Sequence, residues 1–150
     1  MNFESIQLNF DGYEVVKATL VKIKKTENLV EESDIGFLMK IIPNKNNNFD
    51  QVNVILGIQI EPSINFNYNV ETIVKGNFKL SNCKNDEERM KYVLVNCSAI
   101  LYPYVRSYIS LITSQLAYEP LILPVMNIHE AIISIPIEDL VNDAASFEKF

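Results

Sequence analysis

The chain has 150 residues, of which 48% are hydrophobic and 21% charged, a balance that suits one globular domain spanning 1–150 with a single core. Its net charge of −6 and isoelectric point near 4.8 disfavour nucleic-acid binding, which needs a basic face, and suit docking on a basic partner. No apolar run approaches the roughly 20 residues of a membrane helix, and the opening MNFESIQLNF lacks the order of a signal peptide, so a cytoplasmic protein is expected.

Strand patterns occupy about residues 12–80. GYEVVKATLVKIKK (12–25) is rich in β-branched residues and predicts the first strand. The acidic link TENLVEESD reads as a solvated loop, IGFLMKII (35–42) as the second strand, and PNKNNNFD (43–50) as a turn. The next two strands alternate with period two. Val52, Val54, Leu56, Ile58 and Ile60 hold the even positions of 51–60; Ile64, Phe66, Tyr68, Val70, Val74, Phe78 and Leu80 hold those of 64–80. The odd positions of the latter are mostly Asn, Glu and Lys, with Ile73 among them. Such two-faced strands predict an antiparallel sheet with one buried and one polar face.

Helical patterns follow over about 86–135, which makes the domain α+β. NDEERMKY carries a cap, Asn85, and three acids, Asp86, Glu87 and Glu88, suited to the positive end of a helix dipole. Beyond it, Cys97, Ile100, Leu101, Tyr104, Tyr108, Leu111 and Ile112 recur at spacings of three and four. A second stripe runs through Tyr102, Val105 and Ile109. One stripe is expected to cover the sheet and the other to meet another chain, so Tyr102, Val105, Tyr108, Ile109 and Ile112 are the expected oligomer interface. Pro103 interrupts this stretch, where an interior proline costs about 3 kcal/mol. AYEPLILPVMNI (117–128) is expected to be extended, a short helix to begin near Asn127 and break at Pro136, and VNDAASFEKF to be a frayed tail.

Catalytic and cofactor patterns do not emerge. His129 is a single histidine beside a helix start, read as a surface or capping residue. Cys83 and Cys97, 14 positions apart, lack metal spacing and read as two reduced thiols. There is no phosphate-cradling glycine loop and no dinucleotide fingerprint. The acids at 27–34 and 86–88 read as solvated loop and helix-dipole partners. No cofactor or metal and no enzymatic activity are expected.

CSAILYPYVRSYI (97–109) resembles the helix of the SecB protein-export chaperones, which read approximately C-x-x-I-L-F-P-Y-A-R-x-x-I. Cys97, Ile100, Leu101, Pro103, Tyr104, Arg106 and Ile109 match, and Tyr102 stands where phenylalanine is usual. ETIVKGNF (71–78) is similar to the family's E-x-x-x-x-G-x-F segment through Glu71, Gly76 and Phe78. LILPVMNI (121–128) is similar to L-x-L-x-P-V-N-F through Leu121, Leu123 and Asn127, with the Pro-Val pair displaced by one. The three motifs occur in order with fitting spacing over 64–130, the helix motif is the specific one of the three, and residues 1–60 agree only in pattern.

The resemblance implies four antiparallel strands with one long and one short helix on one face, assembled as a homotetrameric dimer of dimers. It implies an ATP-independent holdase that binds unfolded preproteins in apolar grooves and passes them to the SecA motor. Leu38, Met39, Ile41, Ile42, Leu123, Met126, Ile128 and Ile132 are the expected client-binding residues, the alternative for each being an ordinary place in the core. Glu71 is the expected SecA contact, the alternative being a cross-strand pair with Lys75 or Lys79. The resemblance also implies that the long helix starts close to Pro103, after a separate lead-in; a kink within one continuous helix is the alternative. Some SecB-like proteins guard a single partner such as an antitoxin, and a structural adaptor with the same fold is a third reading.

Overall fold

The computed structural model describes residues 6–24, 29–44, 50–116, 119–125, 127, 128 and 130. Strands β1 (Gln7–Lys22), β2 (Ile35–Pro43), β3 (Gln51–Ile60) and β4 (Tyr68–Ser81) form one antiparallel sheet in the order β1-β4-β3-β2. Helix α1 (Asp86–Tyr92), a π turn (Val93–Cys97) and helix α2 (Ser98–Thr113) then form an unbroken helical run over one sheet face.

The period-two pattern sets the layers. Met39 pairs with Leu56, Leu56 with Val74, and Val54 with Gly76, so these residues share the face beneath the helix. With Ile41, Val52, Ile58, Val70 and Phe78 they meet Leu101, Val105 and Ile109 of α2 in the core. The opposite face of β1 and β4 is polar, and cross-strand ion pairs tie its two strands: Lys17–Glu71 at 2.7 Å, Lys79–Asp11 at 3.5 Å and Lys75–Glu14 at 4.0 Å.

Two strand boundaries differ from expectation. β1 begins at Gln7 rather than Gly12. Gly12 has φ +101° and the register shifts between Phe10 and Tyr13. Glycine there makes a bulge through which the strand continues, and Phe10 reaches the core side to stack on Phe78 at 5.1 Å. β4 begins at Tyr68 rather than residue 64, because Ser63 and Phe66 bond to each other across a tight turn: each amide donates to the other's carbonyl, at 2.7 and 3.2 Å.

The helical lead-in is capped as expected, with Asn85 accepting from the Glu88 amide at 2.8 Å. It is not separate, however. Pro103 lies inside α2, the helical run passes it, and no new helix starts there. The irregularity sits upstream, at the π turn, where Asn96 and Ser98 side chains donate to the Tyr92 and Leu94 carbonyls at 3.1 and 2.5 Å. Pro103 is exposed, so its ring displaces no core side chain.

The two apolar stripes do not divide between sheet and partner as expected, since Cys97 and Leu101 of the first stripe are buried in the core as well. Tyr102, Val105 and Ile109, expected to meet another chain, are buried in this chain's own core, whereas Leu111 is 60% exposed and Tyr104 is also exposed. Tyr108 and Ile112 are half-buried. The wide stripe exceeds what the sheet can cover, and its outer side remains at the surface. Tyr104 stacks there on Tyr13 of β1 at 4.4 Å, beside the open edge of the sheet.

Candidate functional site

The expected client-binding residues divide by strand parity. Met39 and Ile41 face the helix and are fully enclosed in the core, as are Leu123 and Ile128 from the segment after the helix. None of these four has surface to offer a ligand. Leu38 and Ile42 point to the opposite sheet face; Ile42 is buried and Leu38 is exposed. Met126, Ile132, His129 and Pro136 lie outside the described residues, as do residues 131–150. Asn127 begins a helical turn, its carbonyl accepting from the Glu130 amide at 3.1 Å.

Leu38 borders an open cleft of about 290 Å³ on the outer sheet face, with Gly36, Gly57, Gln59, Glu71 and Ile73 around it. Gly57 makes the floor: a Cβ there would lie 3.2 Å from the Leu38 Cβ and 3.3 Å from the Ile73 Cγ1. The absent side chain lets Leu38 and Ile73 close over the buried Gly57. Leu38 and Glu71, assigned to different roles from sequence, therefore border one cleft. Gly57 and Ile73 were not singled out as site residues, although Ile73 carries a legible signal as an apolar residue among the polar odd positions of β4. Glu71 is not paired with Lys75 or Lys79, whose partners are Glu14 and Asp11; it pairs with Lys17 of β1.

A second polar feature lies along α2. Tyr102, Arg106, Ser110 and Thr113 follow one another at spacings of four, four and three, which puts them on one helix face. Residues 119–125 run past this face as an extended strap. The Tyr102 hydroxyl donates to the Pro124 carbonyl at 2.7 Å, Arg106 Nε to the Leu123 carbonyl at 2.6 Å, and Ser110 Oγ to the Leu121 carbonyl at 3.0 Å. The Leu121 amide donates to Thr113 Oγ1 at 2.9 Å, while Thr113 donates to the Ile109 carbonyl at 2.7 Å. Burial raises the Tyr102 hydroxyl above the ordinary tyrosine pKa, opposed by the nearby Arg106 charge, so the donor stays protonated at neutral pH. The resemblance singled out Arg106 as a motif residue without a role; its role here is to hold main chain.

Among the described residues no group of three or more His, Cys, Asp or Glu side chains could hold a metal ion, and no helix is long and apolar enough to cross a membrane. Cys83 and Cys97 are free thiols; burial pushes Cys97 up to about 12, and burial also raises Cys83.

The fold is similar to that of the SecB-like chaperone Rv1957 of Mycobacterium tuberculosis, solved in complex with a ChAD peptide from the HigA1 antitoxin (Rv1956). That similarity has a TM-score of 0.63 at 17% identity, covering 79% of this chain and 87% of that one. A protein of unknown function from Streptococcus agalactiae is similar at a TM-score of 0.52 and 10% identity, covering 80% of this chain and 98% of the other. No curated protein sequence matches the chain. The family described as preprotein translocase subunit SecB matches residues 12–132, a span that takes in most of β1 and all of β2 and β3 beside the three motifs. With four antiparallel strands, the proline-containing helix laid across them and that match over most of its length, this chain belongs to the SecB family.

Proposed function

We propose that this protein is a chaperone that holds non-native polypeptide without nucleotide, metal or catalytic chemistry. The observation that carries this reading is the outer cleft, where the exposed Leu38 and half-buried Ile73 offer apolar surface to solvent above the buried Gly57. A folded protein has few apolar side chains to place there, whereas an unfolded one has many. The antitoxin peptide bound by the M. tuberculosis relative supports a polypeptide ligand. In this reading the chain is cytoplasmic and assembles as a homotetramer through the outer helix stripe of Tyr104 and Leu111 with the open edge of β1.

Two destinations compete for the held polypeptide. Delivery to the SecA motor follows from the family and uses Glu71 as an acidic contact. Guarding one partner such as an antitoxin is supported by the antitoxin peptide bound to the M. tuberculosis relative. The deciding experiment dilutes a denatured, slow-folding client from guanidinium into increasing chaperone without ATP and follows light scattering. Suppression that saturates near one assembly per client supports a general holdase, and SecA binding is then measured directly. An intact assembly that suppresses nothing overturns the general reading and leaves the single-partner one.

A further inference from the structure

The strap at 119–125 is bound to α2 through groups that any polypeptide carries. Its carbonyls at 121, 123 and 124 and its amide at 121 meet Ser110, Arg106, Tyr102 and Thr113. Such contacts read an extended main chain and not its sequence. The sequence requirement comes from alternation. Leu123 is 3% exposed and Leu121 half-buried, while Ile122 and Val125 are 71% and 85% exposed. The strap thus behaves as a short extended peptide with two apolar side chains, one residue apart, inserted beside the helix. Pro120 and Pro124 have no amide to satisfy and bias the preceding residues toward extended backbone. Neither residue 121 nor 123 nor 124 donates to or accepts from a strand in these bonds, so the strap is not anchored by the sheet ladder.

We propose that the α2 face formed by Tyr102, Arg106, Ser110 and Thr113 is a second polypeptide-binding site, occupied in cis by the strap and taken over by an extended client segment of pattern apolar-x-apolar. The inference rests on the polypeptide-holding function and deepens it: the outer cleft receives a client first, and strap exchange adds a main-chain grip. The strap follows α2 after a short connection, so its effective concentration at the site is in the millimolar range. A client segment therefore competes only when it is already tethered nearby, which keeps the site closed to free peptide at low concentration.

The test uses a fluorescein-labelled peptide copying residues 119–125, EPLILPV, and the full chain. In the double variant Leu121→Ser, Leu123→Ser the cis strap loses both inserted side chains, and the peptide is expected to bind at least about tenfold more tightly than to wild type. Ile122→Ser, on the outward side, is expected to leave peptide affinity unchanged. Circular dichroism confirms that each variant is folded. In wild type, saturating peptide is expected to accelerate hydrogen exchange at the Leu121 amide as its bond to Thr113 opens, a readout that needs no variant. Equal affinity for wild type and the folded double variant overturns the proposal, as does unchanged Leu121 exchange at saturating peptide. Aggregation suppression is followed in parallel. Suppression by wild type with no strap effect sinks the second site alone; strap exchange without suppression by any form sinks the holdase reading alone.

Discussion

Leu101 of α2 sits directly over Gly76 of β4: a Cβ at position 76 would fall 2.7 Å from the Leu101 Cδ2 and 2.7 Å from the Phe78 ring. Both neighbours are fully buried, so neither side chain has free space to move into. This close approach explains the glycine in the ETIVKGNF segment by packing. The helix can seat on the sheet because one strand position has no side chain. Gly76→Ala is expected to lower stability by about 1–3 kcal/mol through overpacking, read as a lower urea midpoint at unchanged slope. An unchanged midpoint would mean that the helix lies further from β4.

Pro103 is exposed within a continuous helix, so its cost is not recovered by burial in this chain. Pro103→Ala restores an amide for the Ala99 carbonyl and is expected to stabilise the monomer by about 1–3 kcal/mol. Thermal unfolding of a dilute sample checks this. A loss of stability would show that the proline is needed within the helix.

The two thiols should differ in reactivity and in pH response. Cys97 is buried with its pKa pushed up to about 12, while Cys83 is only half-buried. Cys83 is expected to react with iodoacetamide at pH 8 in the folded protein, slowed by its raised pKa, and Cys97 only on unfolding. Because the folded pKa of Cys97 lies above the ordinary thiol value of about 8.5, its contribution is present below that value and lost as pH rises toward 12. Wild type should therefore lose stability faster above pH 9 than Cys97→Ala does, by urea unfolding across pH 8 to about 10.

Opposite sides of α2 should respond oppositely to charge. Leu111→Asp, at a 60% exposed position, is expected to shift sedimentation toward smaller species while changing monomer stability by no more than about 0.5 kcal/mol. Val105→Asp places an unpaired charge among Val54, Leu101 and Ile109 in the core and is expected to abolish folding. A Leu111→Asp protein that keeps the wild-type sedimentation coefficient would remove this stripe from the assembly.

The outer cleft can be emptied of its apolar walls without touching the core. Leu38→Ser combined with Ile73→Ser is expected to weaken aggregation suppression severalfold while moving the urea midpoint little, because Leu38 is exposed and Ile73 half-buried. Full suppression by this variant would place client binding elsewhere.

The alternation in β3 and β4, the acidic helix start at Asn85 and the CSAILYPYVRSYI motif were enough to read the antiparallel sheet, the helical run after it and the family. These are local signals, since period and capping depend on neighbours a few residues apart. Two things were not legible. Met39 and Leu38 are both apolar, and only pairing with Leu56 and Gly57 decides which enters the core and which borders the cleft. Leu111 and Val105 are equally apolar on one helix, and only the placement of α2 over Gly76 decides which faces solvent. Sequence by itself determined which segments become strands and helices and to which family the chain belongs. Tertiary structure alone decided which apolar face is spare, because burial is a property of what packs opposite, and hydrophobicity along the chain cannot express it.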